Sequence, residues 1–302
     1  MKDCDGIDRL SNVRASETEG NKVERFIKFI IARHAIYIAR RAKQEPPWTK
    51  DRILQRYKFC NIYRELDRVT RWISVNWRRP HQDDPDFWFA ALVARRCINF
   101  PATLAAIGYP IPWNPNRFLE AIERRKESGK LFISNAYKVI LSGQAGNLAE
   151  VQVKMLLNPA WRAREELRPR REDTLTAFHM RLARTPYVGN FHAAQVIADA
   201  KYGGALRDAN DWWQFAASGP GSKRGLNRVL GRPVNASWIE REWLSELRRL
   251  RKIVGPAVKD FSHRRMDAQN LQNCLCEFDK YERVRLGEGK TRKFEPKSAP
   301  LP

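Results

Sequence analysis

No apolar run in the 302 residues reaches the roughly 18 to 20 needed to cross a bilayer. The nearest approach, Phe26 to Ala39, is broken by Lys28, Arg33 and His34. The N-terminal MKDCDGIDRL has no apolar stretch of the kind a secretory signal needs. No membrane partner is expected. Cysteine is scarce as well: the five form no framework, and Cys274 and Cys276 stand too close for a zinc knuckle or a redox pair. His34, His81, His179 and His192 lack metal-ligand spacing. These absences predict a reducing compartment, no structural metal and no cofactor. Strand alternation and any βαβ rhythm are missing, and no nucleotide-binding loop closes on Gly-Lys-Ser/Thr. Acidic residues are also few, with 34 Asp and Glu against 56 Lys and Arg, a formal net charge of +22.

That balance attracts polyanions over long range, and Arg offers phosphates a rigid fork of donors. Basic residues stand beside aromatics in Arg71-Trp72, Trp77-Arg78-Arg79, Trp161-Arg162 and Trp243 before Arg248-Arg249. Ten tryptophans suggest that some stack on bases while most fill the core. The chain is read as acting on nucleic acid, with DNA the favoured partner.

Periodicity predicts an all-α fold with room for one small hairpin. Residues 1–20 read as a frayed polar end, 21–286 as a helical domain of one or two lobes, and 287–302 as a flexible tail. An apolar stripe from Val23 to Arg41 has helical spacing and stops before Pro46-Pro47. A second helix, capped by Thr49 or Asp51, is expected to run through Ile62, Leu66, Val69 and Ile73, placing Asn61, Arg64 and Arg68 on one face with Glu65 nearby. Further helices are expected over 86–98, 101–108, 116–128, 147–157, 173–184 and 267–283, with Leu131 to Ile140 either strand or helix. Ser237 and Glu240 read as a capping box opening a helix to about Ile253.

Two glycine-bearing turns carry the chemistry. Thr185 to Ala194, centred on Gly189 and Asn190, lies between a helix ending near Arg184 and one starting near Phe191. Such a helix, tight turn and helix can hold a phosphate on exposed amides, with His192 beside it. It can equally be an ordinary connector. Ser218 to Leu226, with Gly219, Gly221, Ser222, Lys223 and Arg224, has the composition of an anion nest, or of an exposed basic turn. On the last helix Glu277, Lys280 and Tyr281 share one side, a base, a cation and a hydroxyl that can also be read as a structural ion network. Asp199 follows Phe191 by eight residues, close enough to serve the same pocket.

Four blocks together resemble a known family: Phe59-Cys60-Asn61-Ile62-Tyr63-Arg64-Glu65-Leu66-Asp67-Arg68-Val69-Thr70, Tyr187-Val188-Gly189-Asn190-Phe191, Gly219-Pro220-Gly221 through Gly225-Leu226, and Leu275-Cys276-Glu277-Phe278-Asp279-Lys280-Tyr281-Glu282-Arg283. The resemblance is to the helical thymine-hypermodification enzymes, the alpha-glutamyl/putrescinyl thymine pyrophosphorylases and the helical domain joined to 5-hydroxymethyluracil DNA kinases, and it covers roughly residues 25 to 295. It implies a remote kinship with helix-hairpin-helix DNA glycosylases, a bacteriophage origin and work in the host-cell cytoplasm. It further implies a transferase that replaces the phosphate or pyrophosphate of phosphorylated 5-hydroxymethyluracil in double-stranded DNA with an amino acid or polyamine, after a DNA base kinase. The absence of a kinase loop fits the stand-alone transferase. On that reading Asn61, Arg64, Asp199, Glu277 and Lys280 serve catalysis. Gly189, Asn190, His192, Gly219, Gly221, Ser222, Lys223, Arg224, Arg68 and Tyr281 hold substrate or phosphate. Asp208 and Asp211 fall at glycosylase-like distances from Gly189, so base excision stays open, as does DNA binding without catalysis.

Overall fold

Apolar residues three and four apart dominate the chain, and a computed structural model resolves them into helices. It describes residues 19–133, 147–262, 264–289 and 291–294. Residues 1–18 of the expected frayed start and 134–140 of the Leu131 to Ile140 segment lie outside the described residues. Two units form, one from the chain up to Arg64 joined by the part from Ser218, the other from Glu65 to Ala217.

The first unit is built on α1 (Glu19–Arg41), α2 (Arg52–Arg56), α12 (Pro220–Val229), α13 (Glu240–Ser262) and α14 (Ala268–Arg285). Phe26, Phe29 and Ile30 of α1 are buried with Trp243 and Leu247 of α13 and Leu271, Leu275 and Phe278 of α14. The Phe26 and Phe29 rings meet the Phe278 ring at 5.0 and 5.6 Å. Asp51 caps α2 by accepting from the Ile53 and Leu54 amides, and Asp267 caps α14 through the Asn270 amide.

The helix expected from Asp51 through Ile73 is not continuous. It stops at Arg56, and the chain runs irregularly to a 3-10 turn at Arg64–Leu66 before helix resumes. Bonds to distant residues hold the break: the Cys60 amide donates to Glu277, Asn61 O accepts from Asn273, and the Arg64 amide donates to Asn270. Asn61, Arg64 and Arg68 therefore share no helix face. The capping box at Ser237 is also absent. Helix α13 starts at Glu240 and continues past Ile253, through Gly255 and Pro256, to Ser262. Glu240 instead accepts from the amide and hydroxyl of Ser218. Part of the expected tail is ordered, because Lys293 forms an antiparallel bridge with Tyr57 and the Phe294 ring meets Trp48.

The second unit contains α3 (Arg68–Ile73), α4 (Phe87–Leu92), α5 (Pro101–Ile107), α6 (Pro115–Glu127), α7 (Leu148–Gln152), α8 (Asn158–Arg162), α9 (Arg164–Leu167), α10 (Leu175–Ala183) and α11 (Gly189–Ala200). Helix α11 packs on both α10 and α4. The core gathers Trp88, Phe89 and Leu92 with Phe118, Phe178, Leu182, Val196 and Ile197. Three helices widen into π turns, at Ser74–Arg78, Val93–Ile98 and Val153–Leu157. The Val93–Ile98 turn belongs to a stretch buried throughout, from Asp86 to Asn99, and it carries two adjacent buried arginines, Arg95 and Arg96. None of the described tryptophans is exposed. Several are faced by guanidiniums, as Arg164 faces Trp161 and Arg232 faces Trp238. The cation–π contacts form with partners other than the sequence neighbours: Arg78, next to Trp77, faces Tyr202, and Trp161 is faced by Arg164 and not by Arg162.

Candidate functional site

In the first unit the expected residues gather along α14. Lys280 donates to Glu277 at 2.6 Å and lies over the Phe59 ring, while the same Glu277 oxygen accepts the Cys60 amide at 2.8 Å. Tyr281 donates to Asp51 at 2.7 Å, and burial together with that bond raises its hydroxyl above the ordinary phenol range. Asn61 is held by buried Arg33, whose Nη2 donates to Asn61 Oδ1 and Phe59 O, both at 3.0 Å. Helix α14 thus brings Glu277, Lys280 and Tyr281 beside the Phe59–Asn61 segment, with Glu277 and Lys280 bonded to each other and Tyr281 bonded separately to Asp51.

The glycine-rich stretch is no open nest. It is the first turns of α12, and its glycines serve helix packing. A Cβ on Gly225 would stand 2.1 Å from the Leu275 carbonyl oxygen, and one on Gly221 would stand 2.5 Å from Cys276 Sγ. Ser222 is buried and turns back on Gly219, accepting from its amide and donating to its carbonyl. Lys223 lies 3.8 Å from Glu240. Arg224 pairs with the buried Asp279, which also takes Arg228 and Arg283. Both cations expected to face a phosphate are therefore already matched with carboxylates.

In the second unit α10, a short turn and α11 follow one another as the spacing predicts, with α11 opening two residues early, at Gly189. Gly189 has φ +64°, a left-handed conformation natural to glycine, and the space where a Cβ would point is open. Valine at the N-cap offers no side-chain oxygen, so the first-turn amides of α11 have no side-chain cap. Asn190 is exposed, and its carbonyl contacts His179 at 3.0 Å. Tyr187 and Phe191 are among the exposed large apolar side chains. Arg68 is also exposed in this unit, at the start of α3.

Asp199 is fully buried and locked. Arg95 grips it twice, Nε to one oxygen at 2.5 Å and Nη2 to the other at 2.8 Å, and also donates to Thr70. Asp211 is occupied too, accepting the Leu175 and Thr176 amides at the start of α10. Asp208 is exposed.

His192 Nδ1 lies 3.2 Å from the Val188 carbonyl. Burial, reinforced by the Arg96 charge, pushes its imidazole down to about 4. The folded chain keeps it neutral where the unfolded chain takes up a proton near pH 6.5. Its contribution is therefore complete above that value and is lost as pH falls towards 4. We expect thermal unfolding across that window to show a loss on the order of 2 kcal/mol, discounted for the ring's partial exposure. His192→Gln should flatten this part of the profile, and an unchanged slope would place the effect elsewhere.

Sequence inspection passes over Arg95 and Arg96. The available signal is two adjacent cations inside the apolar run from Phe87 to Phe100, where charge has to be matched or used. Among the described residues no His, Cys, Asp and Glu group could hold a metal, and no helix is long and apolar enough to cross a membrane.

A family model described as "5-hmdU DNA kinase, helical domain" matches residues 21–291. A curated relative named "5-hmdU DNA kinase", from Bacillus phage SP10, is 26% identical over 272 residues. The alignment takes in 78% of this chain and 40% of the relative, so the chain spans well under half of that protein. No solved structure matches. The all-α architecture and the match over nearly the whole described chain agree: the chain belongs to the family of the 5-hmdU DNA kinase helical domain.

Proposed function

We propose that the chain is a DNA base-modifying transferase of thymine hypermodification, acting in the phage-infected host cytoplasm. Its substrate is double-stranded DNA carrying phosphorylated 5-hydroxymethyluracil made by a DNA base kinase. The co-substrate is an amino acid or polyamine. Family membership over residues 21–291 carries the proposal. The net charge of +22 supports a polyanionic substrate, and the α10–α11 turn supports a helix-hairpin-helix grip on a backbone phosphate.

The base is extruded from the stack. The neutral amine nitrogen attacks the 5-methylene carbon, forming a C–N bond. The C–O bond to phosphate or pyrophosphate breaks, and the leaving group takes the electron pair. The excess proton passes from nitrogen to a carboxylate. Glu277 suits that role better than Asp199: its bonds to Lys280 and the Cys60 amide both fall on one oxygen, whereas Arg95 takes both oxygens of the fully buried Asp199. Lys280 and Arg64 are the cations proposed to offset charge on the departing oxygens. The step requires no nucleotide, because the leaving group is already activated.

Supplying phosphorylated 5-hydroxymethyluracil DNA with a panel of amines, then digesting and weighing nucleosides, tests the proposal. Glu277→Gln is expected to slow single-turnover transfer at least a hundredfold, within the range for loss of a general base, while changing DNA affinity little. Abasic sites in place of a heavier nucleoside would instead select base excision.

A further inference from the structure

Arg96 lies in the π turn that ends the α4 helix, 4% exposed. Its Nε donates to the Tyr187 carbonyl at 2.7 Å, its Nη1 has no hydrogen-bond partner, and it forms no ion pair among the described residues. Arg95, one residue earlier and equally buried, has Asp199. A guanidinium stays charged when buried, and an unmatched buried charge costs several kcal/mol. A fold that needed only a donor to the Tyr187 carbonyl could use a neutral side chain there.

The turn that Arg96 braces is itself unusual. Tyr187 has φ +65°, a left-handed conformation that costs a bulky residue about 1–2 kcal/mol. Gly189 follows with φ +64°, and α11 opens behind it without a side-chain cap. The Tyr187 and Phe191 side chains, 44% and 50% exposed, flank this opening. A buried cation, uncapped helix amides and two exposed aromatic rings thus meet at one turn. An anion over the amides would neutralise Arg96 through a low-dielectric path, where its charge acts more strongly than at the surface. The rings suit planar bases beside that anion.

We propose that Arg96 is the buried cation of a DNA-phosphate subsite at the Tyr187–Phe191 turn, where Tyr187 and Phe191 stack on the flanking nucleotide. Arg96 acts through the turn, as a positioning residue. The proposal rests on DNA being the substrate, but it needs no modified base.

The test measures binding of the full chain to an unmodified duplex across a salt series. Arg96→Gln keeps a donor for the Tyr187 carbonyl and removes the charge. It should weaken binding about tenfold and lower the slope of log affinity against log salt by about one, the signature of one lost phosphate contact. Arg96→Lys should recover most of that slope. Phe191→Ala should weaken binding about tenfold with the slope unchanged, as expected for lost stacking. A purely structural Arg96 would leave the slope at the wild-type value, and that result overturns the proposal. Should Arg96→Gln fail to fold, the wild-type protein decides. Magnetic resonance of the His192 ring should show its titration moving upward when duplex is added, because an anion has arrived beside it. An unmoved His192 overturns the subsite while leaving the transferase reading intact. A wild-type chain that binds no duplex at all overturns both.

Discussion

Asp199→Asn is expected to destabilise the chain by about 3–5 kcal/mol, because it leaves the Arg95 guanidinium buried without a counter-charge. Both Asp199 oxygens are taken by Arg95, and the pair is almost wholly shielded from water, at 3% and 0% side-chain exposure. An amide keeps one acceptor but supplies no negative charge and offers its NH2 to another donor. Replacing both partners, as in Arg95→Met with Asp199→Leu, removes the stranded charge along with the bond and should cost less than the single change. Denaturant unfolding of the three variants measures this. A normally stable Asp199→Asn protein with no transfer activity would reverse the assignment and return Asp199 to the chemistry.

A comparably large effect is expected at Gly225. Glycine in a helix interior ordinarily gains about 1 kcal/mol when replaced by alanine. Here the added carbon would stand 2.1 Å from the Leu275 carbonyl oxygen and 2.7 Å from its carbonyl carbon. Backbone cannot swing aside as a side-chain tip can, so α12 and α14 must separate. Gly225→Ala should therefore lose about 3 kcal/mol, at the upper end for overpacking. Gly255, inside α13 with open space where its Cβ would point, is the control. Gly255→Ala should be neutral or slightly stabilising. Equal melting temperatures for the two variants would mean that α12 and α14 are not packed through glycine.

These two sites show where sequence stops being informative. Helices with an uninterrupted stripe, such as Glu19–Arg41, Pro115–Glu127 and Ala268–Arg285, are legible because their periodicity and caps are local. Ile62, Leu66, Val69 and Ile73 have the same spacing, yet the first of them lies outside any helix. Partners more than 200 residues away, Glu277, Asn270 and Asn273, take up the polar groups of the Cys60–Arg64 segment. Propensity carries no trace of them. The Gly219–Gly225 composition fits an anion nest and a close helix crossing equally well, and only Leu275 decides between them.

The candidate site divides the same way. The α10–α11 turn is marked by Gly189 between two apolar stripes, and Glu277, Lys280 and Tyr281 share a helix side by simple spacing. Burial is what spacing cannot give. Asp199 looks like an available carboxylate until Arg95 is brought to it from 104 positions away. Arg96 looks like one basic residue among many until the wholly buried stretch from Asp86 to Asn99 carries it beside Tyr187.

Amine transfer to the 5-methylene carbon can be followed in a single coupled assay. Duplex containing phosphorylated 5-hydroxymethyluracil is incubated with the chain and an isotopically labelled amine, with no nucleotide added. Released phosphate or pyrophosphate is counted, and the digested nucleosides are weighed. One leaving group should be released for each nucleoside that gains the labelled nitrogen, with the rate rising with pH until the amine is fully deprotonated. Release without nitrogen incorporation, or no mass change with any amine on DNA that is demonstrably bound, would contradict amine transfer.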